Sequence, residues 1–267
     1  MACLLRLFTV TRYLFAELYS QIVRTITSPS RVLYVMDKNK LRQYIKSVSL
    51  KIKNIKLATT LEVPVWRNGA TEKFKTRVYS SYEEYLEHQK QKLEYIDLEE
   101  YDVKYRDVLL ERLRKLYFLK PGMTVLCLGA RLGTEVKAFL DIGCFAIGID
   151  LNPGCDNRYI VYGDFHNLQF ASSSVDVIFT NALDHVFDMR QMIEEVKRVT
   201  KPVCWVIIEA VRGLDEGKSP GYYESFYWSK IDDVVNLFEN YQLKLVYRDS
   251  FSYPWLGEQL VFVKRNR

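Results

Sequence analysis

The residues best placed to do chemistry in this chain close four successive apolar runs. "TVLCL" leads into Gly129-Ala130-Arg131-Leu132-Gly133, a turn whose small residues let the backbone come close to a ligand. "FAIGID" ends on Asp150, where a carboxylate can accept hydrogen bonds from two vicinal sugar hydroxyls. "RYIVYG" is followed by Asp164, an acceptor for an exocyclic amino group, and by Phe165, a surface for a flat ring. "VDVIFTN" ends on Asn181, followed by Ala182, beside the place where a ligand's reactive group would project. One strand ending in Gly or Asp is commonplace, but four in order form a ladder of contacts for a nucleoside-bearing ligand.

Such a ladder needs parallel strands separated by helices, and the hydrophobic pattern provides them. Strands are predicted at 124–129, 145–150, 158–163, 175–181 and 203–210, with helices at 134–142, 188–200 and 229–241. The last of these helices opens with a Ser229-x-x-Asp232 capping pattern. "LKLVYRD" and "EQLVFVK", separated by "SFSYPWLG", have the spacing of a closing antiparallel pair. Upstream, "SSYEEYLEHQKQKLEYIDL" begins with a serine cap and early glutamates, and "YDVKYRDVLLERLRKLYFL" reads as a second amphipathic helix ended by "KPG" at 120–122. The alternation predicts an α/β, Rossmann-like, mostly parallel sheet flanked by helices over 80–267, preceded by an extension over 1–79.

The extension differs in charge from the body. Residues 1–60 carry eleven Lys/Arg against two acids, about +9, and the remainder carries 27 against 31, about −4. Residues 1–25 place Leu4, Phe8, Phe15, Leu18, Tyr19 and Ile22 on one helical face, with Arg6, Glu17, Ser20 and Arg24 opposite and Arg12 near the apolar side. That pattern suits a helix packed on the body, a helix on a membrane surface or an organelle-targeting segment, but not a spanning helix or a secretory signal. "SLKIKNIKL" alternates like an exposed strand, and its lysines lack the interleaved aromatics of a nucleic-acid groove. The five cysteines have no CxxC or ladder spacing, which points to buried free thiols in a reducing, cytoplasmic setting and to no metal site.

Two cofactor classes fit an acid at the end of the second strand. A dinucleotide wants G-x-G-x-x-G beneath its pyrophosphate, and G-A-R-L-G-T keeps only the first of those glycines. S-adenosyl-L-methionine carries no phosphate and needs less of that cradle. Here "VLCLGARLGTEV…AIGIDLNPG…VYGDFHNLQFASSSVDVIFTNALDHVFDM…EEVKRVTKP" resembles the class I S-adenosylmethionine-dependent methyltransferases, nearest to the type 11 group. The resemblance covers roughly 80–265, with its specific motifs within 125–202, and implies a seven-stranded sheet with an antiparallel last strand. It implies a methionine-side loop at Gly129, Ala130, Arg131 and Gly133, and ribose contacts at Asp150 and the adjoining Leu151. It also implies an adenine site at Asp164 and Phe165, with Asn181 on the floor near the methyl group. Two positions depart from that pattern. Cys127 replaces the acid two residues before the first glycine, and Arg131 replaces the middle glycine, so that with φ below zero the turn would differ locally.

Methyl transfer to a hydroxyl needs a base, and His185 in "NALDHVFD" is the candidate, with Asp184 second and a packing role for His185 as the alternative. His166 suits a structural role or an edge contact to adenine better than catalysis. The loop "GLDEGKSPGYYESFYWS", with Tyr222, Tyr223, Phe226, Tyr227 and Trp228, is either a wall of an acceptor pocket or ordinary core. The helix carrying Tyr82, Tyr85, His88 and Gln89 is either a lid or core packing. The expected function is methyl transfer to a small-molecule, lipid-like or sugar-like acceptor. The alternatives are a non-catalytic cofactor- or partner-binding protein, supported by Cys127 and Arg131, and an RNA methyltransferase using residues 38–56 as a basic arm.

Overall fold

The structure, a computed structural model, describes residues 65–69, 72–91, 99–154 and 157–265. The helix expected over 1–25, the strand "SLKIKNIKL", Cys3 and Cys155 lie outside these residues.

Seven strands form the main sheet: β3 (Thr124–Leu128), β4 (Phe145–Asp150), β5 (Ile160–Tyr162), β6 (Val175–Thr180), β7 (Thr200–Val211), β9 (Lys244–Phe251) and β10 (Gly257–Arg265). Their spatial order is β5-β4-β3-β6-β7-β10-β9. The pairs from β5 to β7 are parallel, and β10 runs antiparallel to both β7 and β9, as the hairpin spacing predicts. Central strands read as unbroken apolar runs because helices cover both faces: β3 is buried from Val125 to Leu128, and β6 from Val177 to Thr180.

Each helix sits where its apolar stripe meets the sheet. In α2 (Glu99–Arg114), Tyr105, Leu109 and Leu113 recur every fourth residue and join Val136 and Phe139 of α3 (Thr134–Asp141) on one face. On the other face, Met189, Met192, Ile193 and Val196 of α4 (Met189–Val199) pack with Ile231, Val234 and Phe238 of α5 (Ile231–Asn240). Asp188 caps α4 by accepting the Gln191 N–H at 3.0 Å. The chain lays β4 and β5 on one side of β3 and then crosses to place β6 on the other. The crevice for a ligand therefore opens between the carboxyl ends of β3 and β6.

A second, antiparallel sheet of β1 (Trp66–Asn68), β2 (Phe74–Arg77) and β8 (Phe226–Trp228) was not expected from the sequence. Phe74 stacks on Phe226 with ring centroids 5.3 Å apart. The expected boundary at 79/80 falls between β2 and its partner β8 in the sequence. Two corrections are local. Helix α2 ends at Arg114, short of the "KPG" signal, because 3₁₀-type bonds to the Arg112 and Leu113 carbonyls already close its last turn. Helix α5 is capped at Lys230, whose N–H donates to Asp233, one residue later than the Ser229-x-x-Asp232 pattern predicts. Among the described residues no helix is long and apolar enough to cross a membrane.

Candidate active site

The loop after β3 takes a left-handed conformation at alternate positions: φ is +67° at Gly129, +39° at Arg131 and +77° at Gly133. Arg131 therefore keeps the left-handed geometry that the middle position of the turn requires, and the altered turn expected from φ below zero does not occur. Its backbone is pinned from two sides. The Arg131 N–H donates to Asp150 Oδ2 at 3.0 Å, and Asn157 Nδ2 donates to the Arg131 carbonyl at 3.1 Å. A non-glycine residue in this region costs about 1–2 kcal/mol. A hydrogen bond to a carboxylate contributes about 1.5–3 kcal/mol, enough to offset that cost.

Asp150 thus links the ends of two adjacent strands. Its Oδ1 also accepts the Asn152 N–H at 2.8 Å, fixing the carboxylate plane beside Leu151. Gly129 leans against the segment after β6, where a Cβ on it would lie 2.6 Å from Ala182 Cβ. Only glycine allows the two strand ends to approach this closely.

Two cavities meet at this point. The larger, about 270 Å³, is bounded by the loop from Gly129 to Leu132, by Glu135 and Asn181, and by Asp184, His185, Tyr227, Trp228 and Trp255. The smaller, about 30 Å³, is lined by Asp150, Leu151, Phe165 and Ala182 with Tyr85 and Gln89 of α1 (Tyr82–Lys90). Gly129 and His185 line both. Of the sequence-predicted positions, Gly129, Ala130, Arg131 and Asn181 face the larger cavity, and Asp150, Leu151 and Phe165 the smaller. Gly133 supplies the left-handed N-cap of α3.

Asp164 lines neither cavity. One oxygen accepts from the His166 N–H and Nδ1, each at 2.8 Å, and the other from the Tyr82 hydroxyl. Burial pushes this carboxyl up, but the His166 and Tyr82 hydrogen bonds outweigh it and hold Asp164 below the ordinary carboxylate range. His166 Nε2 in turn accepts the Phe187 and Asp188 N–H groups at 3.2 and 3.1 Å. His166 is therefore a structural bracket with its proton on Nδ1, in keeping with the role its position suggests.

His185 lies in a 3₁₀ turn, Leu183–His185, anchored on both sides. Tyr85 donates to the His185 carbonyl at 3.0 Å, and the Ser225 N–H donates to the Asp184 carbonyl at 2.8 Å. Its Nδ1 is 2.9 Å from the Tyr223 carbonyl, so the neutral ring carries its proton there and its lone pair on Nε2, 3.7 Å from Asp184 Oδ1. Helix α1 is at once packing and pocket wall: Tyr85 is fully buried, and Gln89 reaches the Tyr223 carbonyl at 2.8 Å. The aromatic loop divides similarly, with Tyr227 and Trp228 buried in β8 yet lining the larger cavity.

Sequence reasoning missed the polar end of the larger cavity. Glu135 and Glu209 are buried there and joined through two side chains. Asn181 Nδ2 donates to Glu135 Oε1 at 2.8 Å and lies 3.0 Å from the Tyr105 hydroxyl, which donates to Glu209 Oε2 at 2.7 Å. Arg112 donates to both oxygens of Glu209 at 2.7 and 3.0 Å, and Gln259 adds a bond at 3.1 Å. The signal for Glu209 was a lone carboxylate inside the apolar run "VCWVIIEA". Glu135 offered none, since an acid in a first helical turn is ordinary.

With this geometry in place, comparison with known proteins gives a consistent class. Residues 126–208 match the family model described as a methyltransferase domain. This match runs from β3 into β7 and, with the sheet order, supports a class I methyltransferase domain. A demethylmenaquinone methyltransferase of Corynebacterium glutamicum (strain R) is 32% identical over 99 residues, covering 34% of this chain and 43% of that protein. The chain thus spans less than half the length of the curated relative it matches. Among solved structures, a Burkholderia thailandensis 1,6-didemethyltoxoflavin-N1-methyltransferase with bound 1,6-didemethyltoxoflavin and S-adenosylhomocysteine superposes with a TM-score of 0.54 at 13% identity, covering 77% of this chain and 100% of that one. The PH0226 protein from Pyrococcus horikoshii OT3 gives 0.50 at 19% identity, covering 64% and 95%. At these identities the structural likeness concerns the fold alone.

Proposed function

We propose that the domain binds S-adenosyl-L-methionine across the crevice between β3 and β6 and transfers its methyl group to a small-molecule acceptor in the larger cavity. The observation that carries this reading is the unit formed by Asp150 and the Gly129–Gly133 loop, placed where two contiguous cavities meet. The residues fit such a ligand. Asp150 offers a fixed carboxylate to ribose hydroxyls, Phe165 and Leu151 offer an apolar surface to a ring, and Gly129 lines both cavities without a side chain. Asp164 contributes from behind, through His166 and Tyr82, rather than on the ring edge. When bound, the cofactor supplies an electrophilic methyl group on a sulfonium.

The chain's own task is to align the acceptor, exclude water and accept a proton. His185 Nε2 is the proton acceptor, and the nearby Asp184 carboxylate stabilises the resulting imidazolium. Tyr227, Trp228 and Trp255 wall a space of small-molecule size, and Arg131 and Lys218 are its cationic members.

Calorimetric titration with S-adenosylmethionine, S-adenosylhomocysteine and NAD tests the reading. The first two should bind and NAD should not, and Asp150→Ala should weaken binding by about 100-fold, the loss of charge-assisted hydrogen bonds worth about 3 kcal/mol. NAD binding, or no binding of either sulfur ligand, would overturn it.

A further inference from the structure

The larger cavity holds charges that the protein itself leaves uncompensated. Glu135 is buried, with 5% of its surface exposed, and its hydrogen-bonding side-chain partner is the neutral amide of Asn181. Among the described residues no lysine, arginine or histidine comes within ion-pair distance of it. Burial pushes its carboxyl up to about 7, against smaller opposing effects from hydrogen bonds and the more distant Arg131. Glu209, at the same end, is different: Arg112, Tyr105 and Gln259 occupy both its oxygens. Arg131, four residues before Glu135 and on the same cavity wall, has no side-chain hydrogen bond or ion pair among the described residues.

A buried carboxylate without a cation is costly to a fold, and such a group is retained where a ligand brings the missing charge. Glu135 is also held in place. The chain Arg112–Glu209–Tyr105–Asn181 ends on it, and the Asn181 amide uses its N–H groups on the Tyr105 hydroxyl and on Glu135 Oε1. The base of α3 is fixed as well, because Asp102 of α2 accepts from Thr134 Oγ1 and pairs with Lys137 at 2.8 Å. The Cys127 thiol is fully buried, and burial pushes its ionisation well up, so it supplies no anion at this end of β3.

We propose that Glu135 is a cofactor-binding residue that receives the α-ammonium group of the ligand's amino-acid end, with Arg131 paired to its carboxylate. The inference rests on the cofactor reading above and adds what this chain uses in place of an acid at position 127.

The test compares three ligands: S-adenosylhomocysteine, its analogue lacking only the α-amino group, and 5′-methylthioadenosine, which lacks the whole amino-acid end. In the native protein, removal of the amino group should weaken binding by about 10-fold or more, as expected for a charge-assisted contact. Glu135→Gln keeps the shape and should lose the same factor for S-adenosylhomocysteine, with unchanged affinity for the other two. Arg131→Ala should weaken S-adenosylhomocysteine and the deaminated analogue alike and spare methylthioadenosine. Methylthioadenosine binding is therefore the internal control for folding. Equal loss for all three ligands in Glu135→Gln would make the residue structural and overturn the proposal, as would unchanged S-adenosylhomocysteine affinity or a native protein indifferent to the amino group. If the native protein bound none of the three, the cofactor reading would fall and this inference with it.

Discussion

The two cavities that share Gly129 are built by different parts of the fold. The smaller is lined chiefly by strand-end residues, with Asp150 closing β4 and Phe165 after β5, closed over by α1. The larger draws its polar end from the first turn of α3, from α2 and from β7, with walls from β8 and from the turn between β9 and β10. The smaller is thus a product of parallel-sheet topology, in which every strand ends on the same edge. The larger is a product of tertiary packing, in which six side chains meet through hydrogen bonds that no local pattern announces. Perturbing one should leave the other recognisable, and that separation can be tested.

Arg112→Leu should give the largest effect. Arg112 is the cation that Glu209 depends on, and both are buried. Removing one partner of a buried pair costs about 3–5 kcal/mol, because the other charge is left uncompensated. A fall of that size in unfolding free energy, measured in urea, is expected. The double variant Arg112→Leu with Glu209→Met should recover most of it, because a well-packed apolar pair can match a buried ion pair. Methylthioadenosine binding, which reads the smaller cavity, should survive in the double variant. Failure of the double variant to recover stability would mean that packing around Tyr105 and Phe251, not charge, is what Arg112 provides.

Gly129→Ala attacks the shared wall. A Cβ there would sit 2.6 Å from Ala182 Cβ, on a residue with φ of +67°. Strained backbone of this kind costs about 1–3 kcal/mol. The loop should shift, and binding to both cavities should fall together. Ala182→Gly in the same chain removes the clash but not the φ, so rescue should be partial. Full rescue would locate the cost entirely in the steric contact.

The contrast also explains what could be read from the sequence. The order of strands and helices, the closing antiparallel pair and the ladder of Gly129, Asp150, Phe165 and Asn181 follow from period, spacing and strand ends, which are local properties. Strand β8 was hidden in a loop reading because "FYW" is three residues long and its partner β2 lies about 150 positions earlier. Glu209 is a carboxylate in an apolar run, a signal that was passed over because its partner Arg112 lies on a helix whose charged residues look solvated. Arg131 looked disruptive because sequence shows the side chain and not the hydrogen bond from its N–H to Asp150 that sustains the left-handed turn.

Tyr82→Phe probes the cover of the smaller cavity and should cost about 1 kcal/mol, the net value of one hydrogen bond. Its effect depends on pH in a defined direction. Asp164 is held below its ordinary range in the fold, so its contribution is complete above the unfolded value near 3.9 and is lost as pH falls through the folded value. The variant lacks one of the bonds responsible. The difference from the native protein should therefore be full at pH 7 and shrink below about pH 4. A difference constant down to pH 3 would place the cost in the hydroxyl's contact with His166 Nδ1 at 3.0 Å instead.

Arg131→Gly should have the smallest effect on stability and a separable effect on binding. Glycine removes the left-handed penalty of about 1–2 kcal/mol but adds about 0.5–1 kcal/mol of unfolded-chain entropy. The net change is a stabilisation of about 0.5 kcal/mol, with the N–H bond to Asp150 retained. The guanidinium is lost from the larger cavity only. Affinity for S-adenosylhomocysteine should therefore drop while that for methylthioadenosine holds, a split between stability and binding that a loop damaged by its arginine would not produce. If glycine raised affinity for both ligands, Arg131 would be an obstruction that the fold tolerates, and the larger cavity would have to find its cation in Lys218.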